Sequence, residues 1–315
     1  MVIYIKWGCD KIDHMIPEFP EFKRLELSDK KDIENFTSEF PLYSDFNFFN
    51  MWCWDVHNKM KISQLNKNLV VLFSDYLSGD DFLSFIGDNK VIETASKLIS
   101  FSEKEFNKNF LKLVPEEAFL NLKHSDFLIN FDRNSFDYVY LIEQLANMKN
   151  WPQNTSGKRI RNFLKKHSDY TVKHSSFSEI RHDEYKEMFH RWAKNKNINN
   201  HSELNEYKAF ERILKIRDEN LRLISIYKDQ TMIGFTVYEI ISKDYALSHF
   251  AKADEKYCPA AYDLLNWEEA KHLYSLGIKY FNWEQDLEIP GLRYSKIKYK
   301  PAFFFKKLTL SSKKR

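Results

Sequence analysis

The spacing of apolar positions changes period several times along the chain, and each change marks an element. Ser28 to Phe40 has a helical period, with Ile33 and Phe36 on one face, Phe40 one turn on and Ser28 as cap. Tyr43 to Trp54 is dense in aromatics, which suits core better than pocket because large rings dominate packing where they cluster. Leu69–Phe73 and Asp81–Ile86 read as strands around a Ser-Gly-Asp-Asp turn. Val91–Ile99 reads as a helix, Phe110–Val114 as a short strand, and Pro115 as the first residue of a further helix. Phe127–Phe131 and Tyr138–Ile142 are strands around the Asp132–Ser135 turn. Trp151 to Gly157 carries Pro, Asn, Thr, Ser and Gly, so the inter-domain connection is placed there, giving domains 1–150 and 151–315.

The second half repeats this order. Lys158–Lys166 winds as a helix with Lys158, Arg161 and Lys165 on one side and Ile160, Phe163 and Leu164 on another. Tyr170–Lys173 is a strand, and Ser178–Lys194 and Leu204–Asp218 are helices. Leu221–Tyr227, Met232–Ile241 and Tyr245–Ala253 are strands, and Gly234 marks a bulge or a close backbone approach. A helix opens at Pro259 and exits at Gly277, with Ala261, Leu264, Leu265, Leu273 and Leu276 as its stripe. Lys279–Trp283 is the strand that follows.

Composition narrows the function. Hydrophobic residues make up 43% and charged residues 30% of 315, so a packed core is expected, in one large domain or two ordinary ones. Only 7 Gly are present, and no glycine-rich phosphate loop exists. A net charge of +3 leaves nucleic-acid contact to a local patch. Cys9, Cys53 and Cys258 are odd in number and far apart, so no disulfide framework forms and the reducing cytoplasm fits best. The opening apolar run is too short for a signal peptide, and no stretch is long enough to span a membrane. No zinc motif or serine-hydrolase elbow is present, so no metal is expected. Ser248-His249 reads as packed and hydrogen-bonded. Phe303 to Lys307 reads as a last core strand with a frayed basic end, Lys313–Arg315, making at most peripheral membrane contact.

The stretch from Tyr280 to Pro301 stands apart. Asn282, Glu284 and Asp286 alternate, so on a strand they share one face. Pro290-Gly291 reads as a turn, and Arg293 and Lys296 stack if the next piece is helical. Three polar acceptors beside two cations form either a site or a salt-bridged loop.

The pattern N-x-E-x-D-x-x-x-x-G-L-R-x-x-K-x-x-Y-x-P, from Asn282 to Pro301, resembles the phosphatidylglycerol lysyltransferase C-terminal-domain family. Tyr43–Trp54 and Asp137–Ala146 resemble two further landmarks of it. The resemblance implies an α+β fold of two tandem GNAT-like (N-acyltransferase) domains, each a mixed, mostly antiparallel sheet flanked by helices. It implies an acyltransferase that takes an aminoacyl group from aminoacyl-tRNA, with a lipid headgroup, peptide or small amine as acceptor and no tightly bound cofactor. An acyl-CoA-dependent N-acyltransferase and a non-catalytic binding protein are the alternatives. Glu255 to Ala261 stands where GNAT proteins hold the pyrophosphate of acetyl-CoA. It has no Gly, and Pro259 removes a donor, though Lys256 can supply a charge.

Acyl transfer needs a base, oxyanion donors and phosphate contacts. The base is sought among Asp254, Glu284 and Asp286, with the last two preferred. Arg293 and Lys296 serve the oxyanion or a phosphate, and Asn282 and Tyr299 orient the substrate. Lys252, two before Asp254, is expected to share its crevice, with Lys256 and Tyr262 as further substrate contacts. Lys158, Arg161 and Lys165 form either a tRNA or cofactor phosphate contact or a solvated face.

Overall fold

The computed structural model describes residues 16–75, 78–119, 127–148, 151, 155–167, 169–200 and 204–313. Cys9, the chain start, residues 152–154 of the expected connection and the last two residues lie outside them. The first half runs β1 (Lys23–Arg24), α1 (Lys30–Thr37), α2 (Phe48–Trp54), β2 (Lys61–Leu65), β3 (Asn68–Ser74), β4 (Asp81–Ile86), α3 (Val91–Phe106), β5 (Phe110–Pro115), β6 (Phe127–Phe131), β7 (Asp137–Leu141) and α4 (Ile142–Ala146). The second runs α5 (Ser156–Lys166), β8 (Thr171–Ser176), α6 (His182–Asn195), α7 (Asn205–Ile213), β9 (Leu221–Lys228), β10 (Thr231–Ser242), β11 (Tyr245–Ala253), α8 (Ala261–Ser275), β12 (Tyr280–Asn282), α9 (Pro290–Ile297), β13 (Phe303–Phe305) and β14 (Lys307–Ser312). Pro115 ends a strand, and only a short 3-10 turn follows it, Glu116–Phe119.

The strands form sheets of order β1-β2-β3-β4, β5-β14-β6 and β13-β7-β12-β11-β10-β9-β8. The halves therefore trade strands across residue 150. β7 lies before that point yet pairs with β12 and β13, while β14, at the far end of the chain, sits between β5 and β6. Neither half can leave without breaking backbone ladders of the other.

Each face of the seven-stranded sheet buries its own core. On one side Phe189, Phe210, Phe235 and Phe250 join Phe46, Phe49 and Met51 of the aromatic run, so that run packs as expected. On the other, Leu264, Leu265 and Leu273 of α8 pack with Ile160 and Phe163 of α5. Leu276 is exposed instead, because it caps α8 just before Gly277, whose φ of +82° suits the left-handed exit. Gly234 sits at a register shift between β9 and β10, where an added Cβ would stand 3.1 Å from the Lys252 carbonyl oxygen. That close approach favours glycine.

Candidate active site

β12 pairs with β11 in parallel for only three residues, Tyr280 to Asn282 against Tyr245 to Leu247. β11 continues to Ala253, so from Ser248 its edge has no strand neighbour on that side among the described elements. A bulge lifts His249 out of the ladder, since Phe250 pairs with Val237 and Ser248 with Tyr238. Bulges re-aim side chains in this way. Helix α2 of the first half lies along this edge. Its Trp54 ring stacks on Phe250, and its Asn50 meets His249 at 2.8 Å.

The chain turns sharply where β12 ends. Glu284 has φ of +57°, a left-handed conformation that costs a non-glycine residue about 1–3 kcal/mol. Two contacts hold it there. Its N–H donates to Asn282 Oδ1 at 2.7 Å. Buried Lys296 of α9 donates Nζ to the carbonyls of Trp283 and Gln285, one on each side of Glu284. Burial also lowers the Lys296 ammonium to about 8.

The Glu284 side chain is 19% exposed. Its Oε1 accepts from Asn50 Nδ2 at 2.6 Å and lies 3.9 Å from His249 Nδ1. Burial raises the carboxyl to about 7, outweighing the pull of His249, Lys296 and the Asn50 hydrogen bond. A carboxylate that changes protonation near neutrality and keeps access to solvent has the properties of a general base.

Below this loop lies a buried joint between the halves. Lys307, fully buried, is paired with Asp45 and donates to Asp137 at 2.7 Å and Gln285 Oε1 at 2.9 Å. Ser44 donates its N–H and hydroxyl to Asp137, and Asn282 Nδ2 donates to the same carboxylate at 3.2 Å. Lys307 is thus an internal ion at the start of a core strand.

The remaining expected site residues divide. Asp286 lies beyond the end of β12, so Asn282, Glu284 and Asp286 do not share a strand face. Asp286 accepts from Arg293 Nε and Nη2 at 2.9 and 2.7 Å, Tyr138 at 2.5 Å, Arg133 at 3.3 Å and the Glu288 N–H at 3.0 Å. Despite burial, these donors hold its carboxyl below the usual range. It anchors the loop, and Arg293, also bound to Asn134, is committed to it. Pro290-Gly291 opens α9 instead of forming a free turn. Lys252 does not enter this site. It donates to Glu206 at 2.6 Å and lies over Trp192, while Asp254 is held by Asn195, the Tyr257 N–H and Arg191. The partners of Lys252 and Asp254 thus lie outside the Asn282–Lys296 stretch.

Tyr299 is buried and donates to Asp263 at 2.5 Å. Tyr262 is half-buried, and its hydroxyl is raised by burial. Lys256 is exposed, as are Lys158, Arg161 and Lys165 on the outer side of α5. Within the β11–α8 turn, the N–H groups of Tyr257, Cys258 and Ala261 are bonded locally, so they make no cradle for a pyrophosphate. A cavity of about 180 Å³ flanks the 285–288 loop, lined by Asp75, Lys112 and Asp132 among others, and Glu284 is not in its wall. Among the described residues no group of three or more His, Cys, Asp or Glu is placed to hold a metal. None of their helices is long and apolar enough to cross a membrane.

Asn50 escapes sequence reasoning because it lies 234 positions from Glu284 within an aromatic run. His249 is packed and hydrogen-bonded, as its sequence reads, and its partners Asn50 and Glu239 are what the sequence does not reveal.

No curated protein sequence matches the chain. Among solved structures, a conserved protein of unknown function from Bacteroides thetaiotaomicron VPI-5482 is 25% identical, with TM-score 0.76 and coverage of 95% of this chain and 100% of that one. L-PGS from Bacillus licheniformis has TM-score 0.57 at 11% identity, over 96% of this chain and 95% of that one. FemX has TM-score 0.58 at 9% identity, over 92% and 96%. At such identities the last two speak to the fold, an α+β tandem of GNAT-like units. The family described as phosphatidylglycerol lysyltransferase, C-terminal, matches residues 39–308 and supports acyl transfer as the class of function. Matched over most of its length, the chain belongs to that family.

Proposed function

We propose that this protein is an acyltransferase that moves an aminoacyl group from aminoacyl-tRNA to a hydroxyl or amine acceptor, with Glu284 as general base. The observation that carries the reading is Glu284 itself, a 19% exposed carboxyl that burial raises to about 7, on a loop that hydrogen bonds from Lys296 and to Asn282 hold. The acceptor O–H or N–H gives its proton to this carboxylate as its heteroatom attacks the ester carbonyl. A new C–O or C–N bond forms, the ester C–O bond to the tRNA ribose breaks, and the ribose oxygen takes up a proton. The exposed cations Lys158, Arg161 and Lys165 supply phosphate contacts for the tRNA. Such a protein works in the cytoplasm, where charged tRNA is made. Acyl-CoA is read as the poorer donor, because the β11–α8 turn has no Gly and the N–H groups of Tyr257, Cys258 and Ala261 are bonded within it.

The test is incubation with a pool of radiolabelled aminoacyl-tRNAs and cell extract, followed by separation into lipid, peptide and small-molecule fractions. Label leaving tRNA for one fraction, dependent on the protein, supports the reading. Label that stays on tRNA or goes only to water overturns it.

A further inference from the structure

We infer that Asn50 and His249 are positioning residues of the Glu284 site, so that the first half of the chain sets the geometry and charge of a base carried by the second. The inference rests on the reading of Glu284 as base.

The Asn50 amide has only one orientation that satisfies its neighbours. Nδ2 donates to the Ser44 carbonyl at 3.0 Å and to Glu284 Oε1 at 2.6 Å, which leaves Oδ1 facing His249 Nδ1 at 2.8 Å. Nδ1 must then donate. The other ring nitrogen, Nε2, lies 3.3 Å from Glu239 Oε2, which also accepts from Asn47 Nδ2 at 2.7 Å. Asn47 closes the circuit by accepting the Asn50 N–H at 3.0 Å, the cap of α2. The chain Glu284–Asn50–His249–Glu239–Asn47 thus joins α2 to β10, β11 and the loop after β12. Each buried polar group in it has a partner, as low dielectric demands.

The groups that act on Glu284 come from four elements: Asn50 of α2, His249 of β11, Lys296 of α9 and, as a like charge, Asp137 of β7. Asn50 is the one in direct hydrogen-bond contact with the carboxylate that belongs to the first half. A space-filling role for it would leave the titration of Glu284 unchanged; a positioning role would not.

The test follows the carboxyl carbon of Glu284 by NMR in protein labelled at glutamate, with the signal assigned by its loss in Glu284→Gln. Asn50→Leu removes the donated hydrogen bond and should raise the midpoint by about one unit. Asn50→Asp keeps the shape and adds a negative charge, so it should raise the midpoint further, and it serves if the leucine variant does not fold. In the transfer assay at pH 7, kcat should fall about fivefold with KM little changed. An unmoved midpoint in both variants overturns the inference, whether or not transfer is seen. A moved midpoint in a protein that transfers from no donor upholds the positioning role and removes the base reading alone.

Discussion

Glu284 makes a prediction that needs no substrate. Its carboxyl is raised in the folded protein from an ordinary 4.5 to about 7. Between those values the folded chain binds a proton that the unfolded chain has released, so stability falls as pH rises through the window. The full difference is on the order of 3 kcal/mol, and partial solvent access and coupling to His249 and Lys296 trim it to about 2–3 kcal/mol. Glu284→Gln resembles the protonated acid at every pH. The variant should match the parent near pH 4.5 and exceed its stability by about 2–3 kcal/mol at pH 8.5. Urea unfolding of both proteins at the two pH values measures this, since titrations elsewhere cancel in the difference. A difference that does not change with pH, or a variant weaker at pH 8.5, refutes the assignment of a strained, destabilising carboxylate. Stability gained by removing a functional group is the expected trade-off.

Three other outcomes follow from the same contacts. Lys307→Met leaves Asp45 and Asp137 buried without their cation, and should cost about 3–5 kcal/mol in urea unfolding; a loss under about 1 kcal/mol would mean the joint is not an ion pair that matters. Replacing Lys158, Arg161 and Lys165 together by Ala should weaken tRNA binding and reduce its log–log salt slope by about 2–3, as filter binding at several salt concentrations would show. Coenzyme A at millimolar concentration should leave the melting temperature unchanged, because the β11–α8 turn lacks Gly and keeps the N–H groups of Tyr257, Cys258 and Ala261 for itself; a clear upward shift would revive the acyl-CoA donor.

Much of the fold was legible because its elements are local. Leu221–Tyr227, Met232–Ile241 and Tyr245–Ala253 read as strands from their own residues, and β9, β10 and β11 occupy them to within a residue or so. Gly234 announced its close approach for the same reason. The trade of β7 and β14 was not legible, since a strand's pattern shows which face is apolar but not which strand lies beside it. At the site, the motif pointed to Glu284 and Asp286 alike. Only three dimensions separate them: Arg293, Arg133 and Tyr138 saturate Asp286, while Glu284 keeps a single side-chain donor. Lys307 reads as the end of a core strand, but nothing in its neighbourhood along the chain reveals its ion partners Asp45 and Asp137.

The central claim is that Glu284 takes the acceptor's proton during aminoacyl transfer, and the pH profile of initial transfer rate tests it most directly. The parent should rise through a midpoint near 7 and level off, with Glu284→Gln about 10²–10⁴-fold slower and flat across the same range. A glutamine variant that transfers at the parent rate, or keeps the same midpoint, would contradict it.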